Sequence, residues 1–277
     1  MKLFCFGLGY TARHLVSTLS PQKWQISGTH RIEGDFIFNG EEPLTNASAT
    51  LKDVTHLLIS IAPNQNYGDP VLFHHQQDII NMPSLKWIGY LSATSVYGDH
   101  HGNWVDETST TNPSDNRGHM RLMAEQAWLS LGLPLHIFRL GGIYGPSRNQ
   151  IAAVKSMTAK KIIKKGHTFS RIHVDDIASA LKTTMNNPIK GIYNVVDDEP
   201  SSSAEVLDFI CDEINQEHIH GFPISKVETS PMLKSFYKDN KKVSNTILKE
   251  TFSWQPKHPS YKEGYKAILN KLDNSAS

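Results

Sequence analysis

A chain of 277 residues, 39% hydrophobic and 20% charged, is long enough to bury a sizeable core and falls outside the disordered class. Its 28 basic and 27 acidic residues leave a formal charge of +1, which carries no electrostatic footprint for nucleic acid or an anionic membrane. Two cysteines, Cys5 and Cys211, fit a reducing compartment; the opening apolar run is too short for a signal-peptide core and no membrane-length apolar stretch follows, so a cytoplasmic location is expected.

In chain order, Lys2–Phe6 reads as an apolar strand, followed by the glycine turn Gly7-Leu8-Gly9-Tyr10-Thr11-Ala12 and a helix over Arg13–Leu19. Strands are expected at Trp24–Thr29 and, in a short form, at Asp35–Asn39. The run Val54–Ala62 is nearly continuously apolar, as a parallel strand covered on both faces requires. A helix around Val71–Asn81, a strand over Trp87–Ser92 and a long loop to Asn116 come next. Met120–Gly132 has helical spacing, Leu135–Leu140 is a strand, Asp175–Asn186 a helix and Ile192–Val196 a strand. Helices are expected over Ser203–Asn215 and Asn240–Thr251, and the last five residues read as frayed. Strand–helix alternation at this rhythm predicts an α/β fold with a doubly wound parallel sheet.

The glycine turn carries the clearest chemistry. In Gly7-x-Gly9-x-x-Ala12, Gly7 permits the tight turn, Gly9 lets the backbone approach a pyrophosphate, and Ala12 allows close helix–strand packing. Amides and the helix dipole then face phosphate charge. A carboxylate for the ribose 2′-hydroxyl of NAD is missing after the second strand, where the sequence reads Ser27-Gly28-Thr29-His30-Arg31. The fork of Arg31 suits a 2′-phosphate, which predicts NADP, with NAD the weaker alternative. The pairs His74–His75, His100–His101 and His218/His220 lack metal-ligand spacing and read as surface or loop residues, so no metal is assigned. The lysines of Lys155–Lys165 read as a solvated face, with an anionic ligand as the alternative.

From the glycine turn onward the chain resembles the extended short-chain dehydrogenase/reductases, the NAD-dependent epimerase/dehydratase group. The resemblance is carried by GLGYTA at 7–12, LSATSVYGD at 91–99, the Ala124-Glu125 pair, RLGGIYGPSRN at 139–149, RIHVDDIA at 171–178 and YNVVDDEP at 193–200. It implies a Rossmann core over 1–150. Within 151–277, residues 171–200 return to that core and the rest forms a smaller substrate lobe, with the substrate between the two. It also implies cofactor contacts from Gly7, Gly9, Tyr10, Thr11, Ala12, Arg31, Ser60, Ile61, Ala62, Pro63, Ser92, Ala93, Arg121, Leu140, Gly141 and Ile143.

The resemblance breaks where the chemistry should be. The family's Tyr-x-x-x-Lys pair falls on Arg117 and Arg121, and its catalytic Ser or Thr on Ala93, flanked by Ser92 and Thr94. An arginine stays protonated and cannot serve as a general base, although it can hold a ribose, a phosphate or an oxyanion. Catalytic candidates are therefore Thr94, Tyr97, Arg117, His119 and Arg121. Substrate-lining candidates are Tyr97, Tyr144, Arg148, Arg171 and His173, the two arginines suiting an anion such as a nucleotide sugar. The expectation is an NADP-binding oxidoreductase or epimerase/dehydratase-like protein acting on a small molecule, with room for a homodimer. Its rivals are a non-catalytic NADP(H)-binding redox sensor or scaffold, and plain nucleotide-sugar binding.

Overall fold

Alternate residues along the first strand face opposite sides of a sheet, and here both sides are apolar. Leu3 and Cys5 point into one core with Ala12, Leu15, Leu58, Phe138 and Leu181; Phe4 and Phe6 point into another with Leu57, Val71, Ile79, Tyr90 and Trp128. The sheet is thus sandwiched between two helical layers, which explains why its strands read as continuous apolar runs. The computed structural model describes residues 1–227 and 236–276.

The main sheet holds β1 (Lys2–Phe6), β2 (Gln25–Gly28), β3 (His56–Ile59), β4 (Trp87–Ala93), β6 (Leu135–Leu140) and β10 (Gly191–Val195). Its order is β10-β6-β4-β3-β1-β2, all parallel. One face carries α1 (Tyr10–Ser17) against α6 (Val174–Asn186); the other carries α3 (Pro70–Ile80) and α4 (Asn116–Ser130), with the short α2 (Ala47–Leu51) beside α3. The Asp69 side chain accepts from the amides of Val71 and Leu72 and so starts α3. The chain runs from β1 out to β2 and returns to β3 on the other side. The direction of winding therefore reverses between β1 and β3, and in open parallel sheets the crevice at such a point receives ligands.

A third core lies beyond the sheet. It joins α5 (Ile151–Lys155), α7 (Ser203–Glu213) and the C-terminal α9 (Tyr261–Ala276) through Ile151, Val154, Val206, Ile210, Tyr265 and Ile268. Two-stranded parallel ladders edge it: β8 (Lys161–Ile163) with β11 (Gly221–Pro223), and β7 (Gly142–Tyr144) with β9 (Arg171–His173).

Four sequence expectations are corrected. Asp35–Asn39 is no strand of the sheet, since only Ile37 bridges to His30, although Phe38 is buried in the second core. Asn240–Thr251 is not one helix. Lys242–Val243 is β12, paired with β5 (Trp104–Val105), and only Thr246–Phe252 is helical, as α8. Val243 is buried and its amide donates to Ser170 Oγ, which fixes the extended backbone there. Of the last five residues, 273–276 continue α9, whose Tyr261, Tyr265, Ile268 and Leu269 recur at helical spacing and bury in the third core, and Ser277 lies outside the described residues. His75 is not a surface residue: it is sealed between Leu44, whose amide donates to its Nε2, and Asp78.

Two other buried histidines make the fold acid-sensitive. His56 and His136 sit on either side of Trp87 near the amino ends of β3 and β6, and burial pulls both down to about 4. Such groups must stay neutral in the fold yet protonate near 6.5 once unfolded. The stability they permit is therefore complete above pH 6.5 and declines as pH falls toward 4. Urea midpoints should fall across that window, and His136→Phe should flatten the decline; parallel slopes in the two proteins would exclude these histidines as the cause.

Candidate functional site

At the carboxyl end of β1, Gly7 has φ +92°, a conformation that L side chains rarely adopt. Gly9 caps α1 with φ −90° and ψ −160°; no side chain caps this helix and no acid lies in its first turn. The amides that open α1 are left without intrahelical partners and face outward with the positive end of the dipole. A Cβ placed on Gly9 would meet nothing within 4 Å, so the space in front of these amides is open. Thr29, which sequence reasoning missed, shapes the turn. Its Oγ1 accepts from the Gly7 amide at 2.9 Å and its carbonyl from the Leu8 amide at 2.9 Å.

Other predicted cofactor residues gather around this turn. Ile61 lies 3.0 Å from where a Gly7 Cβ would stand, and the Ser60 amide donates to Phe6 O, so 60–63 forms the opposite wall of the β1/β3 crevice. Arg31 is exposed just past β2 and makes no hydrogen bond or ion pair among the described residues. Tyr10 turns away from the open amides: its hydroxyl donates to Pro146 O at 2.8 Å, and the Arg148 guanidinium lies 5.9 Å from its ring centre. Leu140 belongs to the core rather than the crevice, and Gly141 is buried against Ser170 O.

Beside the crevice opens a cleft of about 1480 Å³ between the sheet and the third core. It brings together Thr94, Arg117, Ile143, Tyr144, Arg148 and Arg171 from the predicted set. It also exposes residues whose sequence context gave no signal, among them Phe169, Asp239 and Lys241. Of the lysine stretch only Lys160 reaches the cleft; Lys161 pairs with Asp208 at 2.6 Å and Lys164 donates to Tyr237 O.

Five candidates do not line it, Arg121 among them. Tyr97 is fully buried, its hydroxyl donates to Asn194 Oδ1 at 2.7 Å, and burial pushes it up to about 12, so it neither touches a ligand nor exchanges a proton readily. His119 is exposed on α4 with Nδ1 2.8 Å from Asp115 O. His173 is buried behind Tyr144, its Nδ1 accepting from the Asp175 amide. Ser92 is occupied beneath the cleft, donating to Glu125.

Arg121 is half-buried and donates through Nη1 to Leu91 O at 2.6 Å, which fixes its guanidinium beside the end of β4. Below it, Glu125 and Arg139 form a sealed pair, with Nη2–Oε2 2.7 Å and the Nε 3.2 Å from both oxygens. The Arg139 guanidinium also stacks 4.8 Å over the Tyr97 ring. Arg171 contrasts with it. Its Nη1 donates to Ser201 O, Ser201 Oγ and Phe169 O, yet no ion pair matches its charge among the described residues. The nearest acid electrostatically is Asp197, whose carboxyl burial pushes well above the usual carboxylate range.

No known protein-family profile matches the chain. The fold is a Rossmann-like α/β architecture: the human epimerase family protein SDR39U1, solved with NADPH, superposes with a TM-score of 0.76 at 14% identity, covering 98% of this chain and 100% of that one. More specifically, the chain belongs to the family of a functionally unknown conserved protein from Silicibacter pomeroyi, with a TM-score of 0.91 and 42% identity over 98% of both chains. It is also similar to Protein YeeZ of Escherichia coli K12, 29% identical over 216 residues that span 70% of this chain and 77% of YeeZ.

Two substitutions test the geometry. Because a side chain on Gly9 meets only open space, Gly9→Val should stay within about 1 kcal/mol of the parent in stability while losing dinucleotide binding; retained binding in the folded variant would remove the glycine turn from the site. Arg139→Met leaves Glu125 as an uncompensated buried charge and should cost about 3–5 kcal/mol; denaturant titration measures it, and a loss below 1 kcal/mol would show that water reaches the pair.

Proposed function

We propose that the protein binds NADP(H) across the β1/β3 crevice and acts as an oxidoreductase of epimerase/dehydratase type on a small anionic substrate held in the adjoining cleft. One observation carries this reading: the open amides at Gly9 begin the helix whose Tyr10 ring meets Arg148, and Arg148 lines the same cleft as the unmatched charge of Arg171. The dinucleotide fits the residues present, since the glycine turn leaves a cradle that a β-carbon would otherwise enter. When bound, a nicotinamide supplies hydride transfer. Gly7 and Gly9 would approach the pyrophosphate, Arg31 a 2′-phosphate, and Arg121, anchored on Leu91 O, the adjacent ribose. Arg171, with Arg117 and Arg148 nearer the opening, would hold the substrate's negative charge, and among the predicted proton-handling residues only Thr94 offers a hydroxyl to the cleft.

A second reading is a non-catalytic NADP(H)-binding sensor or scaffold. It is favoured by the occupation of Ser92 and Tyr97 in buried hydrogen bonds and by arginines at both positions of the usual Tyr/Lys pair, which together remove the ordinary proton relay.

The deciding experiment is a pair of titrations. NADPH should bind about tenfold or more tightly than NADH, the worth of one charge-assisted Arg–phosphate interaction, and Arg31→Ala should abolish the difference. Equal affinities, or a preference that survives Arg31→Ala, would refute the assignment of Arg31. Turnover of sugar nucleotides by the parent would decide against the sensor reading.

A further inference from the structure

Behind the cleft wall, residues far apart in sequence meet at a point where α1, α6 and the segment entering α9 converge. One ligand atom from each of His173, Asp175 and His258 lies within 4.8 Å of the others. The two imidazoles are in contact, ring centres 4.1 Å apart, and both are almost wholly buried. We infer that this trio is a binding site for a divalent transition-metal ion of the zinc class.

The surrounding hydrogen bonds fix which atoms are available. His258 Nδ1 lies 2.8 Å from Asp176 Oδ2, and that carboxylate also accepts from the amides of Lys257 and His258. Asp176 is fully buried and surrounded by donors, so it holds His258 with its proton on Nδ1 and its lone pair on Nε2. A carboxylate behind a ligating histidine is the arrangement that orients such ligands and raises their basicity. In His173 the Asp175 amide donates to Nδ1 at a long 3.2 Å, a weak hydrogen bond that an ion on that nitrogen's single lone pair would replace; Nε2 is buried with no partner.

Asp175 Oδ2 stands 3.7 Å from His173 Nδ1, close to the spacing of roughly 3.3–3.5 Å between ligands that sit about 2.0–2.2 Å from one tetrahedral ion. The other oxygen, Oδ1, is held 3.2 Å from His14 Nδ1. Lys271, 3.7 Å from Oδ2, has a largely exposed side chain and supplies the positive charge now nearest that oxygen. Two imidazoles and one carboxylate suit zinc rather than calcium or magnesium, which prefer all-oxygen ligands. The ion would tie the helix of the glycine turn, through His14 and Asp175, to the chain leading into α9. His173 meets Tyr144 of the cleft edge-on at 5.3 Å, so the tie stands one side chain behind the cleft.

Chelator-treated full-length protein should bind one Zn²⁺ per chain by calorimetry, with a rise in melting temperature, and Co²⁺ should develop visible d–d absorption from nitrogen and oxygen ligands. Asp175→Asn, at a partly exposed position, should weaken zinc binding at least tenfold, and His258→Gln should remove the Co²⁺ spectrum. If His258→Gln fails to fold, the Asp175→Asn titration decides alone. Absence of stoichiometric binding to the parent, or zinc affinity unchanged in Asp175→Asn, would overturn the site; the latter would direct the ion to exposed groups such as His218 with Asp208 and Asp212.

Discussion

Two charges sealed beneath the cleft, Glu125 on α4 and Arg139 on β6, set the terms on which the rest of the site is built. Burying them is costly unless every lone pair and proton finds a partner. Ser92 at the end of β4 therefore gives its hydroxyl to Glu125, and the Tyr97 ring lies over the guanidinium. Tyr97 in turn donates to Asn194 on β10, whose amide donates to Glu107. One polar chain thus crosses the carboxyl ends of β4, β6 and β10 and locks α4 onto the sheet.

The same network decides which side chains are free to react. A serine and a tyrosine lie near the position where a family of this fold carries its proton relay, and both are fully engaged in holding the buried pair. Their burial makes them structural. What lines the cleft instead is positive charge: Arg117 and Arg148 at the opening and Arg171 inside, with Arg121 held to a strand carbonyl outside the lining. This is a surface suited to grip anions, with few groups that exchange protons near neutral pH.

Much of this was legible in the sequence wherever the signal is local. The glycine turn follows from three small residues between an apolar run and a helix, and β6 begins and ends where its apolar pattern does. The doubly wound sheet follows from alternation alone. The errors arose where long-range contacts override local preference. Residues 240–251 have helical composition, but Val243 is drawn into an extended pairing with β5 by the buried Ser170 hydroxyl. The helix Tyr261–Ala276 carries polar residues between its aromatic contacts and shows its amphipathic face only once the third core is known. Tyr97 looked reactive because a motif placed it near the cofactor; only the structure reveals that its hydroxyl points at Asn194. The convergence of His173 and His258, separated by 85 positions, lies beyond any spacing rule.

The two buried arginines show why residue type and burial together are still insufficient to assign a role. Arg139 and Arg171 both sit mainly within the protein, and each has hydrogen-bond acceptors for part of its fork. Arg139 faces an ionised glutamate at 2.7 Å, so the pair is close to neutral when seen from the cleft. Arg171 is surrounded by carbonyl and hydroxyl oxygens, which satisfy its protons without cancelling its charge. Its acidic neighbour Asp197 is displaced by burial toward the protonated form and supplies little compensation. In surroundings of reduced dielectric, a monopole left uncancelled acts across several ångströms. Arg171 therefore adds a positive charge that no ion pair among the described residues offsets to the wall it shares with Arg117 and Arg148.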